Sequence, residues 1–174
     1  MNWLSGFLKS LSYAQEGIVY TLATQRNMQI HFAIAFLVMI FCLVLNVSRL
    51  EIILVFFAIV LVIGAELVNT AIESVVDQVS GEYHPLAKIA KDTAAAAVLL
   101  TALHAIIIGL LVFHDKIWPL RIRSMSAFGI EWYLVALGPV VLLYFILQTI
   151  IRRKRGSAPN RAIEKRGVAP DARK

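Results

Sequence analysis

The chain has 174 residues, of which 59% are hydrophobic and 16% are charged, and its mean hydropathy is +0.75. This composition excludes an ordinary soluble domain, in which about a quarter of the residues are charged. The formal net charge of +6 does not indicate nucleic acid binding, because the basic residues concentrate in a C-terminal tail rather than on a folded face. The sequence therefore predicts an all-α integral membrane protein.

The segment 1–27 precedes the first long apolar stretch and is predicted to form an amphipathic surface helix. Trp3, Phe7 and Leu11 recur at helical spacing, whereas Lys9 and Glu16 fall largely on other faces. Such a helix can lie in the membrane interface. An ordinary amphipathic helix that packs against the rest of the protein is the alternative.

Four further segments are apolar and long enough to cross the hydrocarbon core, which takes about 20 helical residues. They cover approximately residues 28–47, 52–76, 93–113 and 130–151. We therefore expect four transmembrane helices, the first three forming a core over 28–113 and the fourth following a linker within 114–151. The basic segment 152–174 is predicted to be a disordered tail.

The Lys and Arg residues predict the orientation, since basic residues are retained on the cytoplasmic side. Nine of the 17 follow Ile151, which places the tail in the cytoplasm. Four spans then place the N-terminus on the same side. In this arrangement 13 of the 17 basic residues are cytoplasmic.

The second apolar segment carries ionisable residues, which are costly inside a membrane and so indicate function. At helical spacing the polar residues share one face and form a polar stripe: Glu66, Asn69, Thr70, Glu73 and Asp77. The next polar segment adds ionisable groups, namely Glu82, Tyr83, His84, Lys91 and Asp92. The stripe and this segment are the candidate site.

Carboxylates on one face suit a hard cation, and magnesium uses one or two of them together with substrate phosphates. Lys91 could meet a phosphate, so the set suits phosphoryl transfer, which depends on positioning and charge neutralisation. No conventional nucleotide-binding motif occurs in the sequence. The residues alone leave two alternatives open: hydrogen bonds between helices of an oligomer, and an ion or proton pathway.

Two strings, ELVNTAIESVVD (66–77) and EYHPLAKIAKDTAAAAVLL (82–100), closely resemble the bacterial diacylglycerol kinase and undecaprenol kinase family. The family pattern is E-x-x-N-[ST]-A-I-E-x-x-V-D, then H, then A-K-D-x-[AG]-[AS]-A-V. YAQEGIVYTLATQRNMQIH (13–31) is similar to the family's first conserved block. The resemblance covers roughly residues 1–113. It implies transfer of the γ-phosphate of magnesium ATP to the hydroxyl of a lipid in the bacterial plasma membrane.

The resemblance also implies roles for individual residues. Glu66 matches the catalytic acid, acting as general base on the lipid hydroxyl, and Asn69 matches a residue that shapes the catalytic site. Glu73 matches a metal-binding glutamate that also meets the nucleotide. The remaining nucleotide-binding positions are matched by Lys9, Tyr13, Glu82, Tyr83, His84, Lys91 and Asp92.

The sequence departs from the family pattern at two places. Gln25 occupies the position of a glutamate that supplies a second metal ligand; its amide oxygen can coordinate Mg²⁺ but brings no charge. The family has three-span subunits assembled as a homotrimer, so the resemblance implies a trimer, whereas this chain has a predicted fourth span.

The lipid substrate is interpreted from the same strings. HPLAKIAKD (84–92) and the N-x-x-I-H string (27–31) resemble the undecaprenol kinase branch more than the diacylglycerol branch. We therefore expect undecaprenol as acceptor, giving undecaprenyl phosphate. Diacylglycerol, giving phosphatidic acid, is the alternative.

Overall fold

The computed structural model describes residues 3–79, 84–118 and 130–165. These residues form five helices: α1 (Trp3–Thr24), α2 (Arg26–Val44), α3 (Arg49–Val79), α4 (Pro85–Ile117) and α5 (Ile130–Lys165). The predicted all-α class is therefore confirmed.

Three of these helices, α2, α3 and α4, are long and apolar enough to cross a membrane. Large apolar side chains such as Phe57, Leu100 and Leu110 are exposed on them. Exposed apolar surface of this extent suits contact with lipid, which does not penalise it as water does. The structure thus supports three of the four predicted spans.

The fifth helix differs from the sequence prediction. Its described apolar stretch, Val135–Ile151, is shorter than the other three, so the fourth span stays a prediction. The helix extends to Lys165, beyond the predicted end of the span at Ile151, and disorder of the segment 152–174 stays a prediction.

The helices are arranged as a hairpin and a second group. α3 and α4 contact each other most extensively, while α5 lies against α1 and α2. The two groups meet through contacts of α1 and α2 with α3. One buried cluster joins α2 and α5 through Met39 and Val135, and another joins α1, α2 and α5 through Leu22, Phe32 and Leu142.

The short connection between α2 and α3 is held by a capping box. Ser48 N–H donates to Glu51 Oε2 at 2.7 Å, and Glu51 N–H donates to Ser48 Oγ at 3.4 Å. Both bonds satisfy amide groups that a helix N-terminus leaves without intrahelical partners. The start of α3 is therefore fixed, and with it the direction of the polar stripe.

Candidate functional site

The polar stripe of α3 is partly enclosed by protein. Glu66 is 1% exposed and Thr70 3%, and Asn69 is also buried. Thr70 Oγ1 donates to the Glu66 carbonyl oxygen at 2.9 Å, so this hydroxyl is satisfied within the helix. Glu66 Oε2 and Asn69 Oδ1 are buried and have no hydrogen-bond partner within the part of the chain that the structure describes. Two acceptors buried without partners are costly unless a ligand or a further chain supplies donors.

The next residue of the stripe, Glu73, is bound to Asn69. Asn69 Nδ2 donates to Glu73 Oε1 at 3.0 Å, one turn along the helix. Because this bond holds the amide and the carboxylate together, a ligand that binds Glu73 also affects Asn69. The predicted catalytic and metal-binding residues are therefore coupled.

A dedicated metal cage is not found among the described residues, which contain no group of three or more His, Cys, Asp and Glu side chains placed to hold an ion. Magnesium does not require one, since it is commonly held by one or two carboxylates, water and substrate phosphates. Glu73 supplies one such carboxylate. Asn69, whose Nδ2 donates to that carboxylate, also carries the buried Oδ1 that has no partner among the described residues. The donor set fits an ion that arrives with a nucleotide.

Charged residues join the ends of α3 and α4. Lys91 Nζ donates to Asp77 Oδ1 in an ion pair between the two helices, and Lys88 pairs with Asp92 along α4. Lys91 is half-buried and Asp92 is exposed. Lys91 thus pairs with Asp77 of α3, whereas its neighbour Asp92 pairs with Lys88 of α4. The partners differ because consecutive helical residues point about 100° apart.

His84 serves as the N-cap of α4. Its Nδ1 accepts a hydrogen bond from Leu86 N–H at 3.2 Å, and Pro85 follows at the first helical position. This arrangement is favourable because proline has no amide hydrogen to leave unsatisfied there. His84 therefore has a structural role whether or not it meets a nucleotide. Glu82 and Tyr83 lie outside the described residues.

The remaining candidates lie on α1 and at its junction with α2. Lys9 Nζ lies 5.8 Å from the centre of the Tyr13 ring, a cation–π arrangement on the exposed face. Gln25 is the N-cap residue of α2, with extended backbone (φ −98°, ψ 120°) and no side-chain capping bond. Its side chain is half-buried and is not used to cap the helix.

The position of the stripe along α3 decides where it meets the membrane. Arg49 begins the helix, and Glu66 lies about 26 Å further along the axis at 1.5 Å per residue. Glu73 lies about 36 Å from Arg49 on the same measure. If Arg49 marks one face of a hydrocarbon core about 30 Å thick, Glu66 is near the opposite boundary and Glu73 is beyond it. On this placement the stripe spans the interface between lipid and water.

Comparison with known proteins gives consistent matches. Residues 12–113 match the family described as prokaryotic diacylglycerol kinase. The undecaprenol kinase of Bacillus subtilis is 44% identical over 116 residues, covering 67% of this chain and 94% of the relative. The diacylglycerol kinase of Synechocystis sp. is 46% identical over 103 residues, 59% of each chain. That of Escherichia coli is 33% identical over 103 residues, 59% of this chain and 72% of the relative.

The chain belongs to the prokaryotic diacylglycerol kinase family. It is a membrane lipid kinase, and membership of a kinase family implies use of ATP. The family predicted from the sequence is therefore confirmed. The matched residues include all of the candidate site that is described except Lys9, and they end before α5.

An apolar groove of about 340 Å³ lies between α2, α3 and α4 of this kinase. Its walls are almost entirely aliphatic, with Ile34, Ala58 and Ile106 among them, and His31 contributes at one place. Such a groove suits a hydrocarbon chain of a membrane lipid. Both isoprenoid and acyl chains meet this description.

Two features near the site were not predicted from the sequence. Gln29 Nε2 donates to the Leu22 carbonyl oxygen at 3.1 Å and so ties α2 to the end of α1. Gln15 Nε2 donates to Tyr144 Oη at 2.6 Å and ties α1 to α5. Gln15 and Gln29 stand out in the sequence as isolated polar residues in amphipathic or apolar segments. Sequence spacing does not identify their hydrogen-bond partners, which lie on other helices.

Proposed function

We propose that this lipid kinase phosphorylates undecaprenol, with Glu66 as the general base. The observation that carries the proposal is the buried Glu66 Oε2, which has no hydrogen-bond partner among the described residues. With Arg49 at one face of the hydrocarbon core, this oxygen lies near the opposite lipid–water boundary. A general base must reach the proton that it removes, at about 2.6–3.2 Å between heavy atoms. A lipid hydroxyl entering here would supply the missing donor.

In the proposed reaction the lipid hydroxyl oxygen attacks the γ-phosphorus while its proton passes to Glu66 Oε2. The bond from the γ-phosphorus to the bridging oxygen breaks, leaving ADP and a phosphorylated lipid. Asn69 acts by holding Glu73 through the hydrogen bond from its Nδ2. Positioning and charge neutralisation provide most of the catalysis in such transfers.

The nucleotide is proposed to lie across the ends of α3 and α4, at Lys91 and Asp92. Lys91 already binds a carboxylate, Asp77, and can exchange it for a phosphate. Lys9 and Tyr13 on α1 and the capping residue His84 complete the described part, and Glu82 and Tyr83 belong to the same proposal. Glu73 would hold Mg²⁺ with help from Gln25. Magnesium would neutralise the charge of the phosphates.

Undecaprenol is favoured by two considerations. The HPLAKIAKD string resembles the undecaprenol kinase branch, and the match to the Bacillus relative spans 94% of that protein. Diacylglycerol is the second candidate, because relatives of similar identity are named diacylglycerol kinases. Both lipids present a primary hydroxyl, so the two differ chiefly in the chains that the groove would receive.

The proposal includes the remaining sequence predictions about assembly and location. We propose a homotrimer in the bacterial plasma membrane, with α1 on the cytoplasmic surface, four spans and both termini in the cytoplasm. The exposed Trp3, Leu4 and Phe7 on α1 suit an interfacial helix. The exposed apolar faces of α3 and α4 leave room for other subunits as well as lipid.

An ion or proton pathway receives less support from the distribution of polar groups. The buried polar side chains of the described residues are Thr21, Glu66, Asn69, Thr70 and Thr149. In the proposed topology they lie toward the cytoplasmic ends of their helices. A pathway needs polar groups at successive depths across the membrane.

The proposal is tested by incubating purified protein in detergent with labelled ATP and magnesium and each lipid in turn. We expect labelled undecaprenyl phosphate, with faster turnover than for diacylglycerol at equal lipid mole fraction. Preference for diacylglycerol would overturn the choice of substrate. Absence of a labelled product with every lipid alcohol would overturn both candidate substrates and the role of Glu66 as general base, and would favour the pathway alternative.

A further inference from the structure

Helix α5 lies outside the residues that match the family, yet it contributes to the core that holds α1. Leu142 is buried in one cluster with Leu22 of α1 and with Phe32 of α2. Phe145 packs edge-on against Phe32, with ring centroids 6.4 Å apart. The C-terminal half of α1 is therefore packed partly against α5.

A hydrogen bond extends this contact toward the N-terminal half of α1. Gln15 Nε2 donates to Tyr144 Oη at 2.6 Å. Gln15 is half-buried, while the earlier residues Trp3, Phe7 and Leu11 are at least half exposed. The bond thus lies at the point where α1 passes from buried packing to exposure. Tyr144 is held in turn by edge contact with Phe145, at 5.4 Å between centroids.

We infer that α5 is a brace for α1 and that Tyr144 is a positioning residue for nucleotide binding. Gln15 is two residues from Tyr13, which carries the proposed nucleotide contact, and the inference rests on that proposed function. A fixed α1 presents Tyr13 and Lys9 in one place. A loose α1 has to be ordered when the nucleotide binds, and that cost lowers the apparent affinity.

The test uses the full-length protein and compares KM for ATP with kcat. Tyr144→Phe removes only the hydroxyl and keeps the ring, and Gln15→Leu removes only the amide. Each is expected to raise KM for ATP about fivefold, the size associated with losing one such bond, with kcat within about twofold. The double variant should be no worse than either single, since both remove the same interaction.

Three further variants separate positioning from general destabilisation. Gln15→Glu replaces the donating amide with a carboxylate, to which the Tyr144 hydroxyl can donate instead, and should retain the wild-type KM, whereas adding Tyr144→Phe to it should remove that benefit. Tyr133→Phe is the matched control, because Tyr133 is an exposed tyrosine on the same helix. An equal KM rise in Tyr133→Phe, or additive effects of Gln15→Leu and Tyr144→Phe, would overturn the inference.

Hydrogen exchange of the residues 3–24 provides a readout that needs no substrate. Tyr144→Phe should accelerate exchange in this segment relative to wild type and leave α3 unchanged. Unaltered exchange in α1 would overturn the brace, even if the protein proved to phosphorylate another lipid or none. Faster exchange without a change in KM for ATP would show that the brace does not position the nucleotide site.

Discussion

The environment of Glu66 fits a reaction site better than a role in helix packing. A buried carboxylate normally has partners for both oxygens, and its Oε2 has none among the described residues. Removing the charge while keeping the shape should therefore cost the fold little. If Glu66 has been retained for chemistry, the same change should cost the reaction much more.

We expect Glu66→Gln to lower kcat by about 10²- to 10⁴-fold, the usual contribution of a general base. Turnover of the lipid kinase reaction in detergent is the measurement, with the unfolding temperature recorded in parallel. Glu16→Gln is the control, because Glu16 is an exposed glutamate on α1. Retained turnover in Glu66→Gln would remove Glu66 from the proposed role.

Gln25 lies where the family resemblance leads us to expect a second metal-binding glutamate, and it makes the metal proposal testable. Gln25→Glu replaces a neutral amide oxygen with a carboxylate, so the Mg²⁺ concentration for half-maximal activity should fall several-fold. Gln25→Leu removes the oxygen and should raise the Mg²⁺ concentration for half-maximal activity. Identical magnesium titrations for all three proteins would exclude a metal role for this position.

The α3–α4 hairpin carries most of the site, and an ion pair joins the two helices at each end. Asp77 and Lys91 pair at one end, with Asp77 67% exposed. Glu51 and Lys116 pair at the other end at 2.7 Å, with side chains 27% and 15% exposed. Exposed pairs contribute little to stability, whereas enclosed charged hydrogen bonds contribute more. We therefore expect loss of the Glu51–Lys116 pair to lower stability more than loss of the Asp77–Lys91 pair.

Lys91→Met should raise KM for ATP at least tenfold if the amine binds phosphate, because a charge-assisted contact is lost. Asp77→Asn breaks the same ion pair but leaves the amine free for phosphate, so its KM should stay within about threefold of wild type. Steady-state kinetics with varied ATP measures both. Equal effects of the two substitutions would show that Lys91 serves only to join the helices.

Lys116→Met is expected to act on stability instead. It leaves Glu51 enclosed without its charged partner, which should lower the free energy of unfolding by about 1–3 kcal/mol. KM for ATP should not change, since the pair is at the opposite end of α3 from the site. Lys88→Met breaks an exposed pair with Asp92 and should change stability by only about 0.5 kcal/mol or less. Thermal unfolding in detergent compares the two, and equal losses would contradict this account.

At the scale of the whole molecule, the membrane explains which features could be predicted. Bilayer thickness sets the minimum length of a membrane-spanning apolar helix, so hydropathy alone predicts α2, α3 and α4. The cost of charge in an apolar helix likewise marked the stripe at Glu66 and Glu73. The sequence does not predict which helices contact each other, because buried and lipid-facing positions are equally apolar. The Gln15–Tyr144 bond and the Leu142 cluster depend on such contacts.

Helix α5 determines which side of the membrane receives the C-terminus, and cysteine labelling can decide it. In a Cys42→Ala background, single cysteines at Asn46, Val79, Trp118 and Lys174 sample the two proposed outer connections, the inner connection and the tail. With both termini cytoplasmic, a membrane-impermeant thiol reagent applied to intact spheroplasts should label Asn46→Cys and Trp118→Cys. Val79→Cys and Lys174→Cys should react only after permeabilisation.

The Trp118→Cys and Lys174→Cys pair decides the fourth span. An odd number of crossings lies between them if α5 spans the membrane, so their labelling must differ; the basic residues after Ile151 favour retention of that end inside. Labelling of both positions in intact spheroplasts would place the tail outside and leave three spans. In that case α5 would lie on the outer side, where it could not brace α1 on the cytoplasmic surface, and its packing against α2 through Met39 and Val135 would have to occur at the membrane surface. Such burial is hard to reconcile with α2 as a spanning helix, so we expect the labelling to differ.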